Sequence, residues 1–139
     1  MVKRRRGARI VRAARPRAVR HRPFEALVER ALAGIPMPFA AALDEVAVVI
    51  EDEPSASQLR ANEVDPEEGL YGLYEGVPRT EWGADWLSVP NKISLFRLAL
   101  EADFADPHEL EDEVRITVIH ELAHHLGIDD ERLHELGID

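Results

Sequence analysis

Leu110, Val114, Val118, Leu122 and Leu126 fall four residues apart, with Ile119 and Ala123 beside them, the spacing that gives an α-helix one apolar face. Asp106 stands where an N-cap would, Pro107 suits the first helical position, Glu109 completes a D-x-x-E box and Gly127 supplies a stop. The pattern predicts a helix over 107–126, and a shorter one over 130–136 closed by Gly137. Near the other end, apolar positions 24, 27, 28, 31 and 32 predict a helix over 24–33, ended by Gly34. Residues 39–45 read as a short helix after Pro36 and Pro38. The period then changes. VAVVI at 46–50 is a β-branched run that predicts a buried strand, and LYGLY at 70–74 predicts a short one. NKISLFRLAL at 91–100 reads as a full strand whose later half also suits a helix. The acidic stretch 51–69 reads as loop with a helical turn at 55–62, and 75–90, which holds both Trp residues, as loop.

Composition narrows the chemistry. A chain of 139 residues that is 45% hydrophobic fits one domain with a real core. It has no Cys, so any metal must be held by His, Asp or Glu. No run approaches the ~18 apolar residues of a membrane span, and the N-terminus has no apolar signal-peptide core. The expected location is therefore the cytoplasm. The net charge of −10 hides a division. Residues 1–22 hold ten of the 17 Lys and Arg and no acid, leaving seven basic residues against 27 acidic ones in 23–139. Residues 1–22 are thus expected to be a solvated basic arm and 23–139 the folded domain. The arm offers nucleic-acid phosphates a salt-dependent contact, but has no Phe, Tyr or Trp to stack on a base.

Reaction chemistry is concentrated in His120–Asp130, HELAHHLGIDD. His120 and His124 lie one helical turn apart, ~6 Å along the axis, so both imidazoles can face one cation. Their row lies about 200° around the helix from Val118 and Leu122, opposite the core stripe. Glu121, next to the first imidazole, can contact a metal-bound water and act as its base. A catalytic site needs a third protein ligand. Only 15 residues follow His124, and Gly127 can turn the chain back. Asp130 is the best candidate for that ligand, with Asp129, Glu131 and His134 as alternatives. His125 and His134 otherwise read as surface or supporting residues. An oxyanion-polarising group is also required, for which Tyr71, Tyr74, Arg115 and His125 are candidates, though Tyr71 and Tyr74 read better as packing residues.

HELAHHLGIDD resembles the Asp-zincin motif HExxHxxGxxD. The wider segments LYGLYEGVPRTE (70–81) and EVRITVIHELAHHLGIDDERLHELG (113–137) resemble the minimal zincins, small bacterial proteins described as metallopeptidases. The resemblance covers residues 39–137. It implies an α+β fold, with a small β-sheet packed against the HExxH-bearing helix and flanking helices. It also implies one zinc ion held by His120, His124 and Asp130, with Glu121 as the base. Metzincins share HExxHxxG but carry a third His and a Met-containing turn; here Asp130 takes that place, and Met1 and Met37 are the only methionines. The function expected is hydrolysis of peptide bonds in a peptide or protein substrate by a zinc-bound water that Glu121 activates. A catalytically inactive metal- or peptide-binding module is the alternative. Strands 70–74 and 91–100 are the candidate sheet edges along which a peptide could be added.

Overall fold

The computed structural model describes residues 2–3, 18–76 and 91–137, with the backbone alone at 3 and 18–22. Most of the basic arm, and the Trp-bearing loop from residue 77 onward, lie outside the described residues. The arrangement is the α+β one expected. Four strands form a mixed sheet in the order β1 (Val2–Lys3), β3 (Leu70–Glu75), β4 (Lys92–Phe96), β2 (Ala47–Glu51). β3 runs antiparallel to both neighbours, whereas β2 and β4 are parallel. The helices are α1 (Ala18–Ala33), α2 (Phe39–Ala42) followed by a 3-10 turn (Leu43–Glu45), α3 (Ala56–Ala61), α4 (Arg97–Asp103), α5 (Pro107–Leu126) and α6 (Asp130–Glu135).

Helix α5 is the axis of the fold. It starts where Asp106 accepts a hydrogen bond from the Glu109 N–H at 3.0 Å, with Pro107 in the first turn. Leu110, Val114, Val118 and Leu122 are buried on the face that meets the sheet and α1. Ile93 and Leu95 of β4 and Phe24, Leu27, Val28 and Ala31 of α1 belong to the same cluster. A smaller one under α3, with Leu59, Val64, Leu70, Leu73 and Phe96, covers the other side of the sheet. The β1–β3 ladder slips by one residue, Val2 opposite Gly72 and Lys3 opposite Leu70. Tyr71 is the extra residue of this β-bulge.

Several boundaries differ from the sequence expectations. α1 begins at Ala18, well before Pro23. β2 is an edge strand whose side chains are half-buried or exposed, because β4 covers only one side of it. Segment 91–100 splits at Phe96, where strand gives way to α4, so β4 is an inner strand and offers no edge. Segment 55–62 does form a helix, capped by a reciprocal pair of hydrogen bonds between Ser55 and Gln58.

Gly72 is where β3 meets α5 most closely. A Cβ there would lie 2.6 Å from Cγ2 of Thr117 and 3.3 Å from the Ser94 carbonyl oxygen. Thr117 is β-branched and fully buried, so it has little freedom to give way. Gly72→Ala is expected to cost about 1–3 kcal/mol by overpacking, measured as a lower urea midpoint at unchanged slope.

Candidate metal centre

The two imidazoles are set by the last two turns of α5. His124 is exposed and His120 half-buried, on the side of the helix away from its packed stripe. The helix then ends in a glycine turn. Gly127 has φ 77° and ψ 22°, a conformation that costs glycine nothing. The Gly127 N–H donates to the His124 carbonyl at 3.1 Å and the Ile128 N–H to the Ala123 carbonyl at 2.8 Å, which is the Schellman closure. The turn brings the start of α6 back beside His120.

At that return, Asp129 and Asp130 take different roles. Asp129 caps α6, its Oδ1 accepting from the Arg132 N–H at 2.8 Å. Asp130 faces the histidines, its Oδ1 3.8 Å from Nδ1 of His120. His120, Glu121, His124 and Asp130 together line one cavity of about 210 Å³. Glu131 and His134 do not line it. The donor set, two imidazoles and a carboxylate, suits zinc. Among the described residues no group of three such side chains is drawn together tightly enough to grip an ion as it stands. The Asp130 side chain, 95% exposed, is the most open of the four to solvent.

Glu121 differs from the other three. It is 1% exposed, and its Oε1 accepts a hydrogen bond from the Tyr74 N–H of β3 at 2.7 Å. The base candidate is therefore fixed to the sheet rather than hanging in solvent. Tyr74 does more than pack. Its hydroxyl donates to Asn91 Oδ1 at 3.1 Å and pairs with His125 Nδ1 at 3.0 Å. Its ring meets that of His124 edge-on, 6.4 Å between centroids. His125 is fully buried, not a surface residue, and its Nε2 lies 3.0 Å from Glu45 Oε2.

The remaining polarising candidates lie elsewhere. Tyr71 is buried, its hydroxyl donating to Asp103 at 2.6 Å. Arg115 sits in the α1–α5 seam, donating to the Ala31 carbonyl, Asp112 and Glu111. In that seam the hydrogen bond from Arg30 holds the Glu111 carboxyl below its ordinary range, desolvation opposes it, and Arg115 adds a smaller pull downward. None of Tyr71, Tyr74, Arg115 and His125 lines the cavity. Glu45 and Asn91 had no signal in the sequence: each is one polar residue beside a strand. The signal within reach was the fourfold spacing of Glu121 and His125.

A family model described as zincin-like metallopeptidase matches residues 43–138, which takes in the sheet from β2 onward, α5 and the cavity. No curated protein matches the chain. No helix among the described residues is long and apolar enough to cross a membrane.

Proposed function

This chain belongs to the zincin-like metallopeptidase family, and we propose that it is a zinc-dependent peptidase with Glu121 as base and His120, His124 and Asp130 as metal ligands. The observation that carries this reading is the cavity that those four side chains line, with Glu121 set by a backbone N–H of β3. Zinc, when bound, supplies the Lewis acidity that makes water a nucleophile near neutral pH. His120 and His124 would offer nitrogens from one face of α5, and Asp130, at the start of α6, would supply the carboxylate that completes the set. Glu121 takes a proton from the attacking water and returns it to the leaving amine.

The substrate place that best suits the sheet is the outer edge of β3. Among the described residues, β1 pairs there with Leu70 and Gly72. The next outward N–H, that of Tyr74, already meets Glu121, so this edge runs straight to the base. An extended peptide laid along it gains main-chain hydrogen bonds with little demand on sequence.

Asp130 and Asp129 are separable by mutation. Asp130→Asn is expected to weaken zinc binding at least tenfold, while Asp129→Asn leaves it unchanged, because Asp129 is committed to the α6 cap. Titration against a competing zinc chelator measures both, and equal effects would remove Asp130 from the ligand set. The function itself is tested by incubating the zinc-loaded chain with a broad peptide library. Cleavage that stops on chelation and returns with zinc supports the reading; no cleavage of any member overturns it.

A module that binds metal or peptide without cutting is the second reading. It is favoured by one observation: among the described residues no Tyr, Arg or third His lines the cavity to polarise a carbonyl. Nucleic-acid contact by residues 1–22 finds no support in the fold or the family, and most of that segment lies outside the described residues.

A further inference from the structure

His120 and His124 are set one turn apart near the end of α5. Glu121 and His125 form a second such pair, displaced by a single residue. The first pair faces the cavity. The second turns to β3 and grips one residue at two points: Glu121 Oε1 holds the backbone N–H of Tyr74 at 2.7 Å, and His125 Nδ1 meets its hydroxyl at 3.0 Å. Glu45, at the end of the 3-10 turn before β2, backs the ring from the far side, 3.0 Å from Nε2.

This geometry does what a single hydrogen bond cannot. The apolar cluster seats α5 on the sheet, and Glu121 adds a polar contact to β3 at the cavity end of the helix. A second, one turn further along the same helix and on the same strand residue, fixes how that end is turned against β3. The hydrogen bonds lie in a shielded place, with Glu121 1% and His125 0% exposed, so each is costly to break. Tyr74 also rests its ring against His124, which couples the clamp to the cavity-facing pair.

We infer that Tyr74, His125 and Glu45 are positioning residues for Glu121, forming a clamp that sets the register of α5 against β3 and so the aim of the base between metal ligands and peptide edge. The inference rests on the peptidase reading for its catalytic consequence, but the clamp itself does not need it. A misplacement of ~1 Å at a reacting group costs on the order of 10²-fold in rate, so a loosened clamp reads out in turnover before binding.

The test uses the full chain, zinc-loaded, as wild type, Tyr74→Phe and Glu45→Leu. Tyr74→Phe removes only the hydroxyl that meets His125, and Glu45→Leu keeps most of the side chain's bulk while removing the group that faces His125 Nε2. Three quantities are measured: hydrogen exchange at the Tyr74 amide, zinc affinity, and kcat and KM on a peptide that wild type cleaves. The expected result is faster Tyr74 exchange in both variants and kcat lower by about tenfold or more, with KM and zinc affinity within about twofold of wild type. Unchanged Tyr74 exchange overturns the clamp. So does unchanged kcat, or a loss of zinc affinity that matches the loss of rate, which would make these residues supports of the metal. If wild type cleaves nothing, the peptidase reading falls alone and Tyr74 exchange decides the clamp.

Discussion

Glu121→Gln is expected to leave zinc in place and to lower peptide hydrolysis by about 10²–10⁴-fold, the usual contribution of a positioned acid–base group. The substitution is conservative where it matters for structure. A glutamine carbonyl oxygen can still accept the Tyr74 N–H that Glu121 Oε1 accepts at 2.7 Å, so the helix stays in register with β3. What the amide lacks is a carboxylate able to take a proton and give it back. Measured side by side, zinc content and kcat should part company. If the variant cleaves at the wild-type rate, Glu121 is not the base, and if it loses zinc as well, Glu121 belongs among the ligands.

His120→Ala is expected to act in the opposite order, removing zinc first and hydrolysis as a consequence. Loss of partners behind metal ligands typically costs 10–100-fold in metal affinity, and deleting a ligand from a set of three costs more than that. The fold should survive. His120 is not part of the apolar cluster that α5 buries, and its loss leaves Val118, Leu122 and the Schellman closure as they are. Competition with a chelator gives the affinity, and the urea midpoint of the metal-free protein checks the fold. Zinc bound as tightly as in wild type would dismiss the histidine pair as ligands.

α5 was legible in the sequence at both ends because several independent signals coincide there. Asp106, Pro107, a regular apolar row and Gly127 each follow from a local rule, and local rules can be read from one chain. The meeting of His120, Glu121, His124 and Asp130 around one cavity is local in the same way, since they lie within eleven consecutive residues. Other features depend on distant neighbours. VAVVI has the composition of a central strand, but among the described residues it is the last strand of the sheet, and composition does not reveal a strand's place in the order. The apolar stripe at 24–32 marks only the inner part of α1; the helix extends past Pro23 to Ala18, over basic residues that carry no such stripe. Tyr74 looked like packing because its partners, Glu45, Asn91, Glu121 and His125, come from four separate stretches of chain. For His125 the sequence leaves a surface and a supporting place both open; its spacing from Glu121 hints at the second, and the passage of β3 beside both decides it.

The glycine turn after α5 has a bearing on how metal and folding are linked. Every proposed ligand lies between His120 and Asp130, so coordination would close a ring of about ten residues. The entropy of closing a loop rises with the logarithm of its length, so a cross-link this short removes little freedom from the unfolded chain. The domain's stability rests on contacts that join distant segments, α1 and the sheet with α5, and these need no ion. Metal loss and unfolding should therefore be separate events: the ion can leave and return while the domain stays folded, which makes zinc here a reversible load on a standing scaffold.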